Sequence, residues 1–233
     1  KIILIIDVII AVYFIIYSDK FHSFRQDLVR YSNNLGIKLE NVIIEGSVNL
    51  SKEEILSKIP KAGAPLLLID LDVIKKSLEK TNWVRHVIIK RKYPDTLYVG
   101  VIEKTPIAIW QHNKAHSLID EEGEVITNKG LENFNHLIML VGRDANVHAN
   151  NLIKELGRHP KLAKYVKFAV RYGERRWNLI LNQEDIIIKM PEDNFSSAWD
   201  YLNKLNNKGK LFSQGYKSID LRDNKKYYIE YKR

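Results

Sequence analysis

The residues whose spacing comes closest to a metal site lie in the middle of the chain. His112 and His116 are four residues apart and Asp120 follows them, and at helical spacing such side chains are typical zinc ligands. The stretch that contains the histidines, however, links two predicted strands, which favours a hydrophilic hairpin tip over a site. We therefore expect no metal there.

A second acidic group surrounds Gly123. Asp120, Glu121, Glu122 and Glu124 could be paired catalytic carboxylates or a cation-binding loop. They lack the alternating spacing of an EF-hand, and the glycine between them is typical of a turn. We interpret the segment as a solvated turn.

Motifs of common enzyme chemistries are absent from the sequence. It contains no cysteine, which excludes disulfides, thiol nucleophiles and cysteine-ligated zinc. It also lacks a Gly-x-Ser-x-Gly elbow, a His-Glu-x-x-His helix, a Walker loop and a Gly-x-Gly-x-x-Gly turn. We expect a protein without enzymatic activity or cofactor, and a periplasmic hydrolase would require a nucleophile or metal constellation that is not found.

Positive charge is concentrated at the C-terminal end. The 233 residues carry a formal net charge of +9, and the segment from Asp200 to Arg233 holds nine basic residues against four acidic ones. Such charge suits nucleic acid, anionic lipid or an acidic protein, but no nucleic-acid-binding module accompanies it. Two interpretations remain, which are a solvated strand edge protected by lysines and a docking edge for an acidic partner.

An apolar run extends from Ile2 to Tyr17, with Asp7 as its single charge. A spanning helix needs about 20 apolar residues, and because the sequence opens on Lys1 we suspect that an N-terminal piece is missing. A buried core helix or a cleaved signal peptide are the alternatives. Since the run is apolar all round and no small-x-small cleavage site follows, we predict a transmembrane anchor over residues 1–17.

Residues 18–37 predict an amphipathic juxtamembrane helix. Phe21, Phe24, Leu28 and Tyr31 recur at helical spacing between polar residues. The segment from Asn33 to Gly36 has the composition of a helix end.

The pattern of residues 38–105 predicts a compact β-α-α-β-β domain, with a three-stranded sheet and helices on one face. The predicted elements are a strand at Leu39–Glu45, a helix capped by Ser51, a helix capped by Asp70, and strands at Trp83–Lys90 and Leu97–Glu103. Pro94 fixes the turn between the last two strands. We expect the ring of Trp83 to be buried between the sheet and the helices.

Residues 106–233 predict a mixed, β-rich domain with antiparallel strands, so the fold class is α+β. Strands are predicted at Ile107–Trp110, Ser117–Asp120, Val125–Ile126, Leu137–Val141, Val166–Val170, Trp177–Leu181, Asp185–Lys189, Ser218–Arg222 and Tyr227–Tyr231. Helices are predicted at Val147–Gly157, at Lys161–Val166 and after Asn194 as the capping residue.

Several strings in this order resemble one protein family. Val42–Gly46, Ser51–Ile55, Trp83–Val84, Arg91–Leu97 and Glu103–Trp110 are similar to a POTRA domain of the FtsQ type. Arg175–Leu179 and Ile219–Arg222 are similar to the second, β-rich domain that follows it. Essentially the whole chain resembles the FtsQ/DivIB cell-division family.

The resemblance implies a divisome scaffold in the inner membrane, with one membrane span and the folded domains in the periplasm at the septum. The implied partners are FtsB and FtsL in a trimeric complex, and other division proteins such as FtsW/FtsI and FtsK. The scaffold would link early division proteins to septal peptidoglycan synthesis. The alternative is a POTRA module of protein transport or outer-membrane assembly, but those proteins carry several POTRA copies or a C-terminal barrel.

The resemblance also indicates a partner-binding site at the last strand, where the family receives FtsB by β-augmentation. The site residues that we predict are Arg175, which aligns approximately, and Arg222, Lys225, Lys226, Tyr228 and Tyr231. The arginines would bind partner carboxylates and the tyrosines would anchor the interface. The family's glycine turn is replaced here by Asp223–Lys226, and these tyrosines could instead cover the domain's own core.

Overall fold

The computed structural model describes residues 24, 26–32, 35–181, 186–223 and 226–232, and their contacts divide them into two compact units with the boundary between Glu103 and Lys104. Over these ranges no helix has the length and apolar content needed to cross a bilayer. The predicted anchor over residues 1–17 lies outside the described residues, as does Lys225.

The first unit has the predicted β-α-α-β-β order, with one added turn of 3-10 helix. Its elements are β1 (Asn41–Glu45), α1 (Lys52–Leu56), the 3-10 turn (Leu66–Leu68), α2 (Leu71–Glu79), β2 (Val84–Lys92) and β3 (Thr96–Glu103). The sheet order is β1-β3-β2, with β1 parallel and β2 antiparallel to β3. Parallel strands need a crossover connection, and the two helices lie in that connection.

Both predicted capping residues begin their helices. The Ser51 hydroxyl accepts a hydrogen bond from the Glu54 amide at 3.2 Å. One Asp70 carboxylate oxygen accepts from the amides of Asp72 and Val73 at 3.0 and 3.1 Å. These bonds satisfy amides that the first helical turn leaves without a partner.

The core of the first unit follows the alternation of its central strand. Leu97, Val99 and Val101 of β3 are buried, as are Ile74 and Leu78 of α2. Full burial of such an aliphatic side chain is worth about 1.5–3 kcal/mol each. The periods of the strand and of the helix therefore determine which residues form this core.

The predicted burial of Trp83 is wrong. Trp83 is partly exposed and is not among the residues of the core cluster. The next residue, Val84, begins β2 and is buried in that cluster. Trp83 precedes the strand, so the alternation of β2 does not direct its ring inward.

The second unit is built on a mixed sheet. Its elements are β4 (Ala108–His112), β5 (Ala115–Ile119), β6 (Val125–Thr127), a 3-10 turn (Leu131–Phe134), β7 (Met139–Val141), α3 (Ala149–Gly157), α4 (Pro160–Ala163), β8 (Val166–Tyr172), β9 (Arg176–Leu181), β10 (Ile187–Lys189), α5 (Phe195–Asn207), α6 (Lys210–Ser213), β11 (Tyr216–Asp220) and β12 (Tyr228–Tyr231). The sheet order is β12-β11-β10-β9-β8-β7-β4-β5-β6. The β4/β7, β7/β8 and β10/β11 pairs are parallel, and helices connect the last two of these pairs.

Helix ends of the second unit differ in detail from the prediction, and the helix predicted over Val147–Gly157 begins at Ala149. The helix predicted over Lys161–Val166 ends at Ala163 because Val166 already begins β8. Asn194 stands at the predicted N-cap position, but its side chain makes no capping bond and its φ angle is +61°. Asparagine tolerates this left-handed backbone better than most residues, which explains its place there.

The helices of the second unit cover one face of the sheet. Trp199 of α5 is fully buried, and its indole nitrogen donates to the carbonyl of Leu156 in α3 at 3.3 Å. Leu179, Ile188 and Ile219, from three adjacent strands, belong to the same core cluster. A single apolar layer therefore supports the sheet up to β11.

Glu103, at the end of β3, holds the loop that follows β1. Its carboxylate accepts hydrogen bonds from the amides of Val48, Asn49 and Leu50 at 2.8–3.1 Å, and from the Asn49 side chain at 2.8 Å. Successive amides that converge in this way form an anion-binding nest. Gly46 starts the loop with φ +80°, and a Cβ there would lie 2.1 Å from a backbone oxygen of β3.

The contrast between Leu97 and Trp83 can be measured directly. Leu97→Ala should lower the free energy of unfolding by about 2–5 kcal/mol, because it leaves a cavity in the core. Trp83→Ala should cost less than Leu97→Ala, because its ring is partly exposed. Urea denaturation of both variants tests this order, and a larger loss for Trp83→Ala would contradict the placement.

The Glu103 nest predicts a dependence of stability on pH. Burial raises the pKa of Glu103, but the N–H bonds lower it by more, so its pKa lies below the usual value. The carboxylate therefore stabilises the fold above its unfolded-state pKa of about 4.3, and this contribution is lost as the pH falls through the lower folded-state value.

Glu103→Gln should reduce the free energy of unfolding by about 1.5–3 kcal/mol at pH 7, the value of hydrogen bonds to a charged group. The difference from the parent chain should shrink in acid. Urea denaturation at pH 7 and at a pH below the folded-state pKa of Glu103 checks this. Glu40→Gln, a change at an exposed carboxylate, is the control. A loss that stays constant with pH would contradict the role of the charge.

Candidate partner-binding edge

The structure separates the two histidines that have metal-like spacing. In the β4–β5 hairpin, His112 pairs with Ala115 and His116 pairs with Gln111. Residues directly opposite share a face and successive residues alternate, so the two imidazoles lie on opposite faces. The predicted hairpin is confirmed, and it does not bring these ligands together.

The interpretation of the acidic segment as a solvated turn is wrong at Asp120. Oxygens of Asp120, Glu122 and Glu124 lie within 4.8 Å of one another, and Asp120 is fully buried. The Lys104 ammonium lies 2.9 Å from an Asp120 oxygen and 2.6 Å from a Glu124 oxygen. Lys104 thus supplies the cation that these carboxylates need.

Asp120 also closes the turn itself. Its second carboxylate oxygen accepts hydrogen bonds from the amides of Glu122 and Glu124 at 3.0 and 2.9 Å. Burial raises the pKa of Asp120, but Lys104 and these amides lower it by more. The cluster is therefore a structural turn held by ion pairs. The spacing of the acidic residues gave no signal for this role, because Lys104 lies in another segment of the sequence.

The remaining predicted residues lie at one end of the sheet of the second unit. Strand β12 is the terminal strand in the sheet order and pairs antiparallel with β11. We define the C-terminal edge as Arg222 together with residues 226–231. In the part of the chain that the structure describes, β11 is the one strand paired with β12.

Side chains alternate between two faces along the C-terminal edge. Ile229 packs against the helix-covered core. Tyr231 contacts the ring of Tyr216 at 5.5 Å between centroids, and Tyr227 contacts the ring of Tyr201 at 4.8 Å. These three side chains of β12 and its approach therefore lie on the covered face.

Tyr228 and Tyr231 both remain exposed at the surface, with accessible fractions of 60% and 57%. Tyr228 is opposite Asp220 in the register and lies on the face away from the helices. Tyr231 thus combines a contact within its own unit with a large free area. Tyr231 therefore fits in part both interpretations from the sequence, since it covers the core of its own unit and could also anchor a partner.

Arg222 is not a free cation. Its Nε donates to both oxygens of Asp220, at 2.8 and 3.0 Å, and Nη2 donates to Asp220 as well. This bonding to Arg222 is the main reason that the pKa of Asp220 is lowered. The sequence contained a signal for this pair, since Asp220 and Arg222 are two apart in the predicted strand Ser218–Arg222 and residues two apart on a strand share a face.

Arg175 lies at the same end of the sheet as Arg222. The register aligns Asn178, Lys189 and Asp220 on β9, β10 and β11, so Arg175 and Arg222 lie just beyond the same end of the sheet, next to strands that have β10 between them. The side chain of Arg175 is 60% exposed, and its Nη1 lies 3.7 Å from a Glu192 oxygen. Its ion pair is looser than that of Arg222.

The charges of β12 itself include residues that the sequence interpretation missed. Glu230 accepts hydrogen bonds from Lys217 at 2.6 Å and from the Ser218 hydroxyl at 3.2 Å. The bond from Lys217 is the main cause of the lowered pKa of Glu230. Lys226 is exposed at the start of the edge, and with Glu230 already paired, it adds net positive charge.

A cavity of about 290 Å³ lies between α5 and the C-terminal edge. Tyr201, Leu221 and Tyr227 line it, and Lys226 is at its margin. Burial raises the pKa of Tyr201, so its phenol stays protonated at neutral pH. The cavity therefore combines apolar walls with hydroxyl groups next to the open strand.

The family comparisons cover both units. The model described as "POTRA domain, FtsQ-type" matches residues 37–104, and the model "Cell division protein FtsQ/DivIB, C-terminal" matches residues 108–222. The second match contains Arg175 and Arg222 and ends before β12.

Curated relatives carry one name. "Cell division protein FtsQ" of Rickettsia felis is 43% identical over 205 residues, which are 88% of this chain and 76% of the relative. The proteins of the same name from Agrobacterium fabrum and Bradyrhizobium diazoefficiens are 32% and 30% identical, over 80% and 82% of this chain and 59% and 56% of their own lengths. The chain therefore belongs to the FtsQ/DivIB family and acts in cell division.

Proposed function

We propose that this cell-division protein is a non-catalytic scaffold whose C-terminal edge accepts a strand from FtsB, in a complex that also contains FtsL. The observation that carries the proposal is the terminal position of β12 in the sheet. A terminal strand presents backbone donors and acceptors along one side, which is the template for strand addition.

The register indicates which backbone groups face outward. The Lys232 amide donates to the Gly215 carbonyl at 2.8 Å, which directs it toward β11. Amide directions alternate along an antiparallel strand, so those of Tyr228 and Glu230 face β11, while those of Ile229 and Tyr231 face away. A partner strand would bond to the latter two residues.

Side chains supply the specificity of this docking mode. Tyr228 and Tyr231 offer large exposed rings on opposite faces of β12, and aromatic anchors dominate interface energies. The cavity beside Tyr227 is next to the same strand and could take an apolar side chain of the partner. The partner strand would therefore carry apolar or aromatic residues.

The charges favour an acidic partner. Arg175 can turn from Glu192 to a partner carboxylate at small cost, because its pair is exposed. Arg222 would have to share its bonds to Asp220 with a partner carboxylate or exchange Asp220 for it. Arg222 therefore serves first to hold the end of β11 and second to attract the partner. Lys226 and Lys225 complete the predicted site, and Lys225 rests on the sequence alone.

Membrane attachment completes the proposed function. The apolar run from Ile2 to Tyr17 would be a single-pass anchor in the inner membrane, with the two folded units in the periplasm at the septum. FtsW/FtsI and FtsK are the further proposed partners, through which the scaffold would influence septal peptidoglycan synthesis. The proposed anchor rests on the apolar pattern of residues 2–17, and the proposed further partners rest on family membership.

Capture of FtsB by variants of β12 tests the proposed edge. Tyr231→Ala removes one ring, and Tyr231→Pro also removes an outward amide that the fold itself does not use. Arg222→Glu reverses a charge. We expect each substitution to raise the Kd for FtsB by about tenfold or more, which is about 1.4 kcal/mol of binding free energy. The largest loss of affinity is expected for Tyr231→Pro.

The controls lie away from the edge. Val125→Ala changes an exposed residue of β6 at the opposite end of the sheet, and Lys161→Glu reverses an exposed charge in α4. Both should bind FtsB as the parent chain does. Parent-like binding by all three edge variants, with unchanged melting temperatures, would place the docking site elsewhere.

A further inference from the structure

A stripe of exposed apolar side chains runs along the helical segment before the first unit. Residues 26–32 are helical, and the Leu35 amide donates to the Tyr31 carbonyl at 3.1 Å, which extends the last turn. Phe24, Tyr31 and Leu35 are 60%, 61% and 52% exposed. With Leu28 between them, their spacing of four, three and four residues places them on one face of a helix.

The other faces of this helix have different roles. Ser32 is fully buried, its hydroxyl donates to the Ile37 carbonyl, and its carbonyl accepts from the Ile37 amide at 2.9 Å. Gln26 and Arg30, on the side opposite the stripe, are exposed and polar, and the exposed Asp27 lies at the margin of the stripe. The helix is thus tied to the first unit at its end, while the apolar stripe is left without cover from that unit's core.

We propose that this stripe lies in the headgroup region of the lipid bilayer, so that the helix rests on the membrane surface. The proposal depends on the proposed anchor over residues 1–17. Six residues lie between Tyr17 and Phe24, and the seven Cα–Cα steps from one to the other span at most about 25 Å. If Tyr17 ends the membrane span, Phe24 cannot lie far from the bilayer surface.

The composition of the segment fits lipid better than a protein partner. Phe and Tyr next to aliphatic residues on one face, with polar residues on the other, are typical of interfacial helices. From Ser18 to Lys38 the sequence holds four lysines and arginines against two aspartates, and such an excess attracts anionic headgroups. The occupant of the stripe is therefore an anionic lipid surface.

The absence of cysteine makes a depth measurement direct, because one introduced cysteine is the single labelling site. Phe24→Cys and Tyr31→Cys test the stripe, and Gln26→Cys and Arg30→Cys are controls on the opposite, polar side of the same helix. Each full chain would be spin-labelled in vesicles of phosphatidylethanolamine and phosphatidylglycerol. Collision rates with oxygen and with a water-soluble nickel chelate report the depth of the label.

We expect the labels at positions 24 and 31 to lie about 5–10 Å below the headgroup surface, and those at 26 and 30 to be aqueous. Four equally aqueous labels in chains that still float with vesicles after urea would overturn the stripe and leave the anchor intact. Chains that no longer float would overturn the anchor and the stripe with it. Stripe labels shielded from both reagents would show a protein occupant, such as a second copy, and exclude lipid.

Discussion

Backbone hydrogen bonding at the end of a sheet is the constraint on which the second unit depends. Each strand from β11 to β5 has neighbours on both sides, whereas β12 has β11 alone among the described residues. Unpaired amides and carbonyls are costly unless water or another strand satisfies them. The apolar layer beneath the sheet reaches Ile229, so β12 is held in place while its outer side stays open.

The charged groups near this edge are arranged in pairs within the chain. Asp220 holds Arg222 at the end of β11, and Lys217 on β11 pairs with Glu230 on β12, so these charges are already paired in the free protein. The Lys217–Glu230 pair is exposed and contributes little stability, whereas Asp220 is largely buried and holds Arg222 through several hydrogen bonds. Arg222 therefore first orients the end of β11 in the free protein, and attraction of an acidic partner is its second proposed role.

Local patterns predicted most of the fold. The Ser51 and Asp70 caps and the alternation along β3 depend on neighbours in sequence, and the structure has them as expected. Trp83 and Asp120 were misplaced because their surroundings depend on tertiary contacts, above all on Lys104 in a separate segment. At the candidate site, the position of the last strand followed from its sequence pattern. That Arg222 is already bonded to Asp220 became known only from the structure.

Amide hydrogen exchange along β12 tests the central claim most directly. In the free protein, the amides of Tyr228 and Glu230 face β11 and should exchange slowly, while those of Ile229 and Tyr231 face outward and should exchange faster. Addition of FtsB should slow exchange at Ile229 and Tyr231 and leave their two neighbours little changed. Binding of FtsB without new protection at Ile229 and Tyr231 would contradict strand addition at this edge.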